Sequence, residues 1–450
     1  MLLIPAEIRS WNGATKAITV VWRADSLRGR FARGAVWSLI GAVFAQGANL
    51  SASVITARLL GREQFGEYGM IQSTVGMLSI FAGLGLGLTA TKYVAEFRTR
   101  DPERAGRIIA LGCVVAIVSG GMLSLGLLAY APLLAAKTLN APELTDELRI
   151  ASVLLFSNAL NGAQTGTLAG FEAFRSIARI TVLRGLITFP VTVAAVLLWR
   201  LPGAIWALAA TSAFTCLVSQ VSLRCQCTAL GIQTRVWSGW AEWRILWTFS
   251  TPAFLSGALV GPAIWAANTM LVNQPGGYAE MGVFSAASQW RNAIGFIPGV
   301  LAQFALPLLS NLNGDRDTSR YGRVLRWNLI LTVAAATAAA LPVALGAAQI
   351  MRLYGRGFQQ GWLVLVLSAV TAVMSCINNV VGTAILSGGS VWVGFAFNGM
   401  WAAALLAGCY RFIPTNFALG LAGSMLGAYI AHTAWQALYL RCRLSRAVDA

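Results

Sequence analysis

The 450-residue sequence is poor in charge. Charged residues make up 11% of it, against roughly 25% in an average soluble domain. Hydrophobic residues reach 57%, where soluble chains hold roughly 45–50%, and the mean hydropathy is +0.67. So few charges cannot cover a water-facing surface. That excludes a soluble enzyme, a coiled coil, a disordered scaffold and a secreted disulfide module. Acids are scarcer than bases, 16 Asp plus Glu against 33 Lys plus Arg. Almost no acid falls within an apolar run; Glu172 and Glu280 sit at run ends. Ion-coupled transporters ordinarily keep a carboxylate inside the membrane, so an ordinary proton or sodium antiporter is disfavoured. The single histidine, His432, and the missing carboxylate pair also remove the groups that a membrane glycosyltransferase, polymerase or ligase needs. Seven cysteines are scattered and odd in number, which is no disulfide framework. Cys225 and Cys227 have no further Cys or His neighbours, so neither a metal nor a cofactor is expected.

What the chain does hold is twelve apolar stretches of about 20 residues, the length that crosses a bilayer core. They run 35–58, 69–91, 108–132, 150–171, 180–199, 203–223, 246–270, 281–309, 328–350, 362–387, 391–410 and 417–438. Pro190, Pro262, Pro298 and Pro342 lie inside spans, which a membrane bundle tolerates because neighbouring helices satisfy the freed backbone groups. The opening MLLIPAEIRS is too short and polar for a secretory signal, so the first span is expected to be retained. The net charge of +17 could mean nucleic acid. Its arginines instead sit in short loops between spans, so no nucleic-acid partner is expected. Of the 33 basic residues, 24 fall in 1–34, 92–107, 172–184, 224–245, 310–327 and 439–450, 8 fall in the alternate loops, and Arg291 lies within a span. The positive-inside rule then places both termini in the cytoplasm.

The organisation read from this is an all-α polytopic membrane protein. A basic segment 1–34 precedes an N lobe 35–223, a cytoplasmic linker 224–245, a C lobe 246–438 and a tail 439–450. The segment 1–34 reads equally as an interfacial amphipathic helix or a flexible basic tail. An internal repeat supports the lobes. Gln64-Phe65-Gly66-Glu67-Tyr68-Gly69-Met70 follows the first span and Glu280-Met281-Gly282-Val283-Phe284-Ser285-Ala286 the seventh, an offset of 216 residues (Gln64 to Glu280). Six spans separate the copies, so both enter from the same side. That predicts two six-helix lobes in a parallel repeat around a central cavity. Gly162, Gly166 and Gly170 recur every fourth residue and predict close helix packing within a lobe. Gly83, Gly85 and Gly87 are spaced by two, which predicts a bend.

One charge sits deep. Arg291 lies about ten residues, ~15 Å, into the eighth span, where an arginine costs roughly 2.5–3.5 kcal/mol on insertion scales. Its face carries Ser288, Gly295 and Pro298 and leaves room. It reads either as a guanidinium fork offered to an anion such as phosphate across a cavity, or as a structural arginine bonding carbonyls or Gln289. Amides are frequent in the spans, and they bond either sugar hydroxyls or neighbouring helices. The candidate substrate-binding residues are Arg291, Ser288, Gln289, Asn49, Gln72, Asn161 and Asn378. His432, in the inner third of the last span, reads as a helix-packing group.

The stretch Arg58-Leu59-Leu60-Gly61-Arg62-Glu63-Gln64-Phe65-Gly66-Glu67-Tyr68 resembles the first outside turn of the polysaccharide-biosynthesis (O-antigen type) flippases, a family of the multidrug/oligosaccharidyl-lipid/polysaccharide exporter superfamily. Lys92-Tyr93-Val94-Ala95-Glu96, Gly282-Val283-Phe284-Ser285-Ala286-Ala287, Pro307-Leu308-Leu309-Ser310 and Leu353-Tyr354-Gly355-Arg356-Gly357-Phe358 extend the resemblance over most of 31–440. It implies a flippase that moves a polyprenyl-pyrophosphate-linked oligosaccharide from the inner to the outer leaflet of a bacterial inner membrane, for O-antigen, capsule or exopolysaccharide assembly. The partners it implies are that lipid-linked substrate, membrane lipids, and polysaccharide polymerase and export machinery. An anionic cargo moving outward gains about 2.3 kcal/mol per charge per 100 mV, without a coupled proton. The drug-extrusion branch often carries an acid in its first span, and 35–58 has none. A peptidoglycan-precursor flippase, a drug exporter and a membrane enzyme of polysaccharide assembly are the alternatives.

Overall fold

The computed structural model describes residues 27–234, 236–314, 318–387 and 391–449. Most of the expected basic segment 1–34 lies outside them. Among the described residues every element is helical and no strand occurs.

Three helices are too long for one crossing. Leu27–Gly83 has 57 residues, Phe174–Ala229 has 56 and Val391–Asp449 has 59, whereas about 20 suffice. Each is broken at a single residue with positive φ: Gly61 (φ 82°), Arg200 (φ 50°, ψ −126°) and Phe417 (φ 46°, ψ −124°). At the last two the chain doubles back. A Cβ on Gly203 would lie 2.0 Å from the Ala195 carbonyl oxygen, and one on Gly420 2.3 Å from that of Phe412. Only glycine permits that approach. These three helices therefore hold spans one and two, five and six, and eleven and twelve.

Pro102–Leu133, Thr145–Gly170, Gly277–Gly314, Thr318–Leu345 and Trp362–Ser387 form spans three, four, eight, nine and ten. Thr251–Ala258 and Val260–Val272 together form span seven. Span two bends by 41° into Leu86–Phe97, at Leu84 and Gly85, which both have positive φ. Gly87 does not bend the chain. It packs against span four, where a Cβ on Gly166 would lie 2.2 Å from its carbonyl oxygen.

The two lobes repeat one another in contacts as well as in order. The Asn161 amide donates to the Ser212 carbonyl at 3.1 Å, and the Asn378 amide donates to the Tyr429 carbonyl at 3.2 Å. Both tie the fourth helix of a lobe to its sixth at matched positions. The turns at Arg200 and Phe417 share one geometry, each followed three residues on by its glycine. A parallel repeat of this kind places the lobes about an axis along the membrane normal, facing each other across a central cavity.

The lobes meet along two lines. Span seven follows span two through Trp265 Nε1 to Thr74 Oγ1 (3.0 Å), Asn268 Nδ2 to Ser73 Oγ (2.9 Å) and the Thr89–Ser250 hydroxyl pair (2.7 Å). The face carrying the Gly61, Arg200 and Phe417 turns is also joined. There Arg62 donates to the Ala279 carbonyl and pairs with Glu280. Arg58 reaches the Leu353 carbonyl, and Tyr278 donates to the Leu139 carbonyl at 2.8 Å. Buried Phe65 packs on Tyr354 and Phe358 of the other lobe. On the opposite face, the turn Val236–Glu242 docks on the start of span three, where Glu242 meets Arg104 and Arg107 at 3.2 Å.

Candidate functional site

Span twelve carries a polar stripe. Tyr429, His432 and Gln436 recur at spacings of three and four, which places them on one side of the helix. They border a cavity of about 300 Å³, at the small end of the ligand-site range. Asn378, Asn379 and Thr383 of span ten complete it with Asn398 and Trp401 of span eleven and Val260 of span seven. Among the described residues, all that line it belong to the C lobe and none is a carboxylate.

The polar groups here are incompletely paired. Trp401, His432 and Gln436 are 1%, 5% and 5% exposed. His432 Nε2 lies 2.6 Å from Gln436 Nε2. With the glutamine amide as donor, the imidazole proton sits on Nδ1. That Nδ1, Gln436 Oε1 and Trp401 Nε1 have no partner among the described residues. A buried polar atom left unpaired costs about 1–3 kcal/mol. Asn378 is better placed, donating to the Tyr429 carbonyl and accepting from Thr433 at 3.1 Å. Trp401 and Tyr429 stand ring to ring at 5.3 Å and form the aromatic side of the cavity.

Arg291 lies beside this cavity. Its guanidinium contacts the Met425 thioether and stands 6.0 Å from the Phe284 ring. It is also close enough to Tyr429 for the two to couple electrostatically. A thioether is a weak acceptor, and a guanidinium carries five N–H donors. No carboxylate pairs with Arg291 among the described residues.

The other sequence-derived candidates fall in several places. Ser288 lies one turn before Arg291, with a buried hydroxyl that has no partner among the described residues. Gln289 is half-buried. Gln72 is half-buried on span two, one turn after Tyr68. Asn161 ties helices within the N lobe. Asn49 is exposed on span one. The structure thus brings Asn378 and Arg291 to the same region, joined through Tyr429, and leaves Asn49, Gln72 and Asn161 away from it. Sequence reasoning passed over Tyr429, Trp401 and Gln436 and took His432 for a packing group. The signal that finds them is the polar stripe in an otherwise apolar last span.

Comparison with known proteins agrees with this architecture. Residues 31–313 match the family described as polysaccharide biosynthesis protein. The EPS I polysaccharide export inner membrane protein EpsE of Ralstonia nicotianae is 24% identical over 431 residues, covering 93% of this chain and 95% of its own. Among solved structures, an inward-facing multidrug resistance MATE family transporter of the MOP superfamily aligns with a TM-score of 0.74 at 16% identity, over 92% of this chain and 99% of its own. The lipid II flippase MurJ in an inward closed conformation aligns with a TM-score of 0.71 at 11% identity, over 90% of this chain and 87% of its own. The fold is that of a twelve-helix, two-lobe membrane transporter.

Proposed function

Since this chain belongs to the polysaccharide biosynthesis protein family, we propose that it is a flippase for a polyprenyl-pyrophosphate-linked oligosaccharide, carried from the inner to the outer leaflet of the bacterial inner membrane by alternating access. The observation that carries this reading is Arg291. It is a deep cation with no carboxylate partner among the described residues, held by a thioether and the Phe284 ring beside a polar cavity that no described carboxylate lines. Even a half-buried charge is costly when it has no counter-ion. A pyrophosphate on the cargo supplies that counter-ion, and a guanidinium fork binds phosphate oxygens in pairs. The lipid tail stays in the bilayer while the head group crosses.

In this reading the lobes are 35–223 and 246–438, joined by 224–245 and flanked by 1–34 and 439–450. The arginine-rich face is cytoplasmic. Ser288, Gln289 and Asn378 are the further polar groups near Arg291, Asn49 and Gln72 lie farther along the path, and Asn161 is taken up in tying spans four and six. The cargo resembles that of a polysaccharide export system, as the EpsE relative suggests.

The test is the leaflet distribution of lipid-linked saccharides in a deletion strain. Complete repeat units accumulating on the cytoplasmic leaflet are the expected result. Normal units on the outer leaflet, with polymer still missing, would place the defect downstream and return the enzyme alternative.

A further inference from the structure

Spans six and twelve are the same helix of the repeat, and they have diverged. The matched amide bonds, Asn161 to the Ser212 carbonyl and Asn378 to the Tyr429 carbonyl, set the register between them. In that register Ser212, Thr215 and Ser219 of the N lobe correspond to Tyr429, His432 and Gln436 of the C lobe. The N-lobe trio is small, and two of its hydroxyls are satisfied locally. Ser212 bonds Asn158, and Thr215 bonds the Thr211 carbonyl at 2.7 Å. On span four, within the same lobe, Gly166 packs directly against the Gly87 backbone. The C-lobe trio is large and polar, borders a cavity and leaves groups unpaired. The N-lobe frame also leaves the buried Asn161 Oδ1 and Gln164 Oε1 without partners among the described residues, so what sets the C-lobe copy apart is its larger side chains, with an indole and an imidazole donor beside a cavity.

The geometry points to the C-lobe cavity as the seat of one neutral sugar ring of the cargo, next to the phosphate held by Arg291. This rests on the flippase reading and adds where the first sugar lies. Size fits, since the cavity is about 300 Å³ and small-ligand sites begin near that volume. The unpaired groups also fit. His432 Nδ1–H and Trp401 Nε1–H are donors and Gln436 Oε1 is an acceptor. A sugar hydroxyl both donates and accepts, so a ring with several hydroxyls answers both kinds. The Trp401 and Tyr429 rings offer an apolar side to the C–H face of a pyranose. A metal cation fits badly. Hard cations take carboxylate and carbonyl oxygens, no carboxylate lines the cavity among the described residues, and Arg291 couples to its wall through Tyr429. The shared Tyr429 sets sugar and phosphate sites side by side, as the bond between the first sugar and its phosphate requires.

The experiment uses the full chain in nanodiscs, titrated by tryptophan fluorescence with inorganic phosphate, glucose 1-phosphate, N-acetylglucosamine 1-phosphate and sodium chloride. A sugar 1-phosphate should bind about tenfold more tightly than phosphate, the gain from one or two good buried hydrogen bonds. Asn379→Leu alters an exposed side chain and should remove that gain, as should Gln436→Leu. Thr215→Val, at the N-lobe counterpart of His432, should leave it. Equal affinity for sugar phosphate and phosphate overturns the proposal, as does a gain that survives Asn379→Leu and Gln436→Leu, or a Gln436-dependent response to sodium alone. The flippase reading fails separately, if Arg291→Met leaves phosphate binding unchanged.

Discussion

Gly66 and Gly282 occupy the same place in the two lobes and pack against each other's entry turns. A Cβ on Gly66 would lie 1.8 Å from the Tyr278 carbonyl oxygen, and a Cβ on Gly282 would lie 2.1 Å from that of Arg62. Tyr278 stands to Gly282 as Arg62 stands to Gly66, so the contact is reciprocal, as across a two-fold axis. Gly69 meets Ser285, its own counterpart, on the same line. The pseudo-two-fold axis of the transporter therefore passes between these glycines.

Either glycine is then irreplaceable for closing this face. Backbone atoms stand where the new methyl group would go, and they cannot move aside as a flexible side chain would. Gly66→Ala and Gly282→Ala should each cost about 1–3 kcal/mol of the closed state and raise labelling of a cysteine placed at Gln64, while the protein still reaches the membrane. Unchanged labelling in both would show that the seam does not close this face.

Arg62 and Glu280 tie the same seam electrostatically. Both side chains are about a quarter exposed, and Glu280 also accepts from the Ala418 amide at 3.3 Å, so one carboxylate holds the turns of three span pairs. A partly exposed pair contributes on the order of 1 kcal/mol or less, weak enough to break in each transport cycle. Glu280→Gln should shift the population toward the form open on this face, and the exchange Arg62→Glu with Glu280→Arg should restore part of the closed population. Equal accessibility in single and double variants would remove the pair from gating.

The fold was legible in this sequence because a bilayer imposes one simple rule, about 20 apolar residues per crossing. The repeat was legible because Gly66 and Gly282 must both be glycine. The hairpins at Arg200 and Phe417 were not, since neither residue type signals positive φ and the cause lies three residues on, in Gly203 and Gly420. The site was legible only in part. Arg291 and Asn378 stood out as polar groups in apolar runs, but the sequence does not say that Asn161 serves packing while its counterpart Asn378 borders a cavity. That difference depends on Ser212 against Tyr429, a contact between helices far apart in the chain.

Glu67 gives the protein a pH dependence outside the membrane spans. Burial, then the nearby Glu143, Glu63 and Glu147, raise its carboxyl from 4.5 to about 7. Burial likewise raises Glu147, whose Oε2 has no partner among the described residues. A carboxyl with a raised pKa binds its proton more tightly in the folded state. The folded state is therefore favoured at low pH and loses stability as the pH rises from about 4.5 through 7. Glu67→Gln should raise the melting temperature at pH 8 and leave it unchanged below pH 4.5. A stabilisation equal at both pH values would rule out ionisation as the cause.

Arg291 separates the cost of a buried charge from its use. If the guanidinium were a structural tie, its removal would loosen spans eight and twelve and lower stability. Its neighbours argue otherwise, because a thioether and the Phe284 ring are contacts that an apolar side chain makes equally well. Replacing a poorly compensated buried ion by a well-packed apolar residue is often neutral or stabilising. Arg291→Met should thus keep or raise the melting temperature and the amount of protein in the membrane, while transport falls by about two orders of magnitude, the loss of a charge-assisted contact to phosphate. Arg291→Lys keeps the charge without the fork and should recover only part of it. Full transport with Met at this position would mean the cargo's phosphate is held elsewhere. A large drop in stability without the charge would make Arg291 a structural residue.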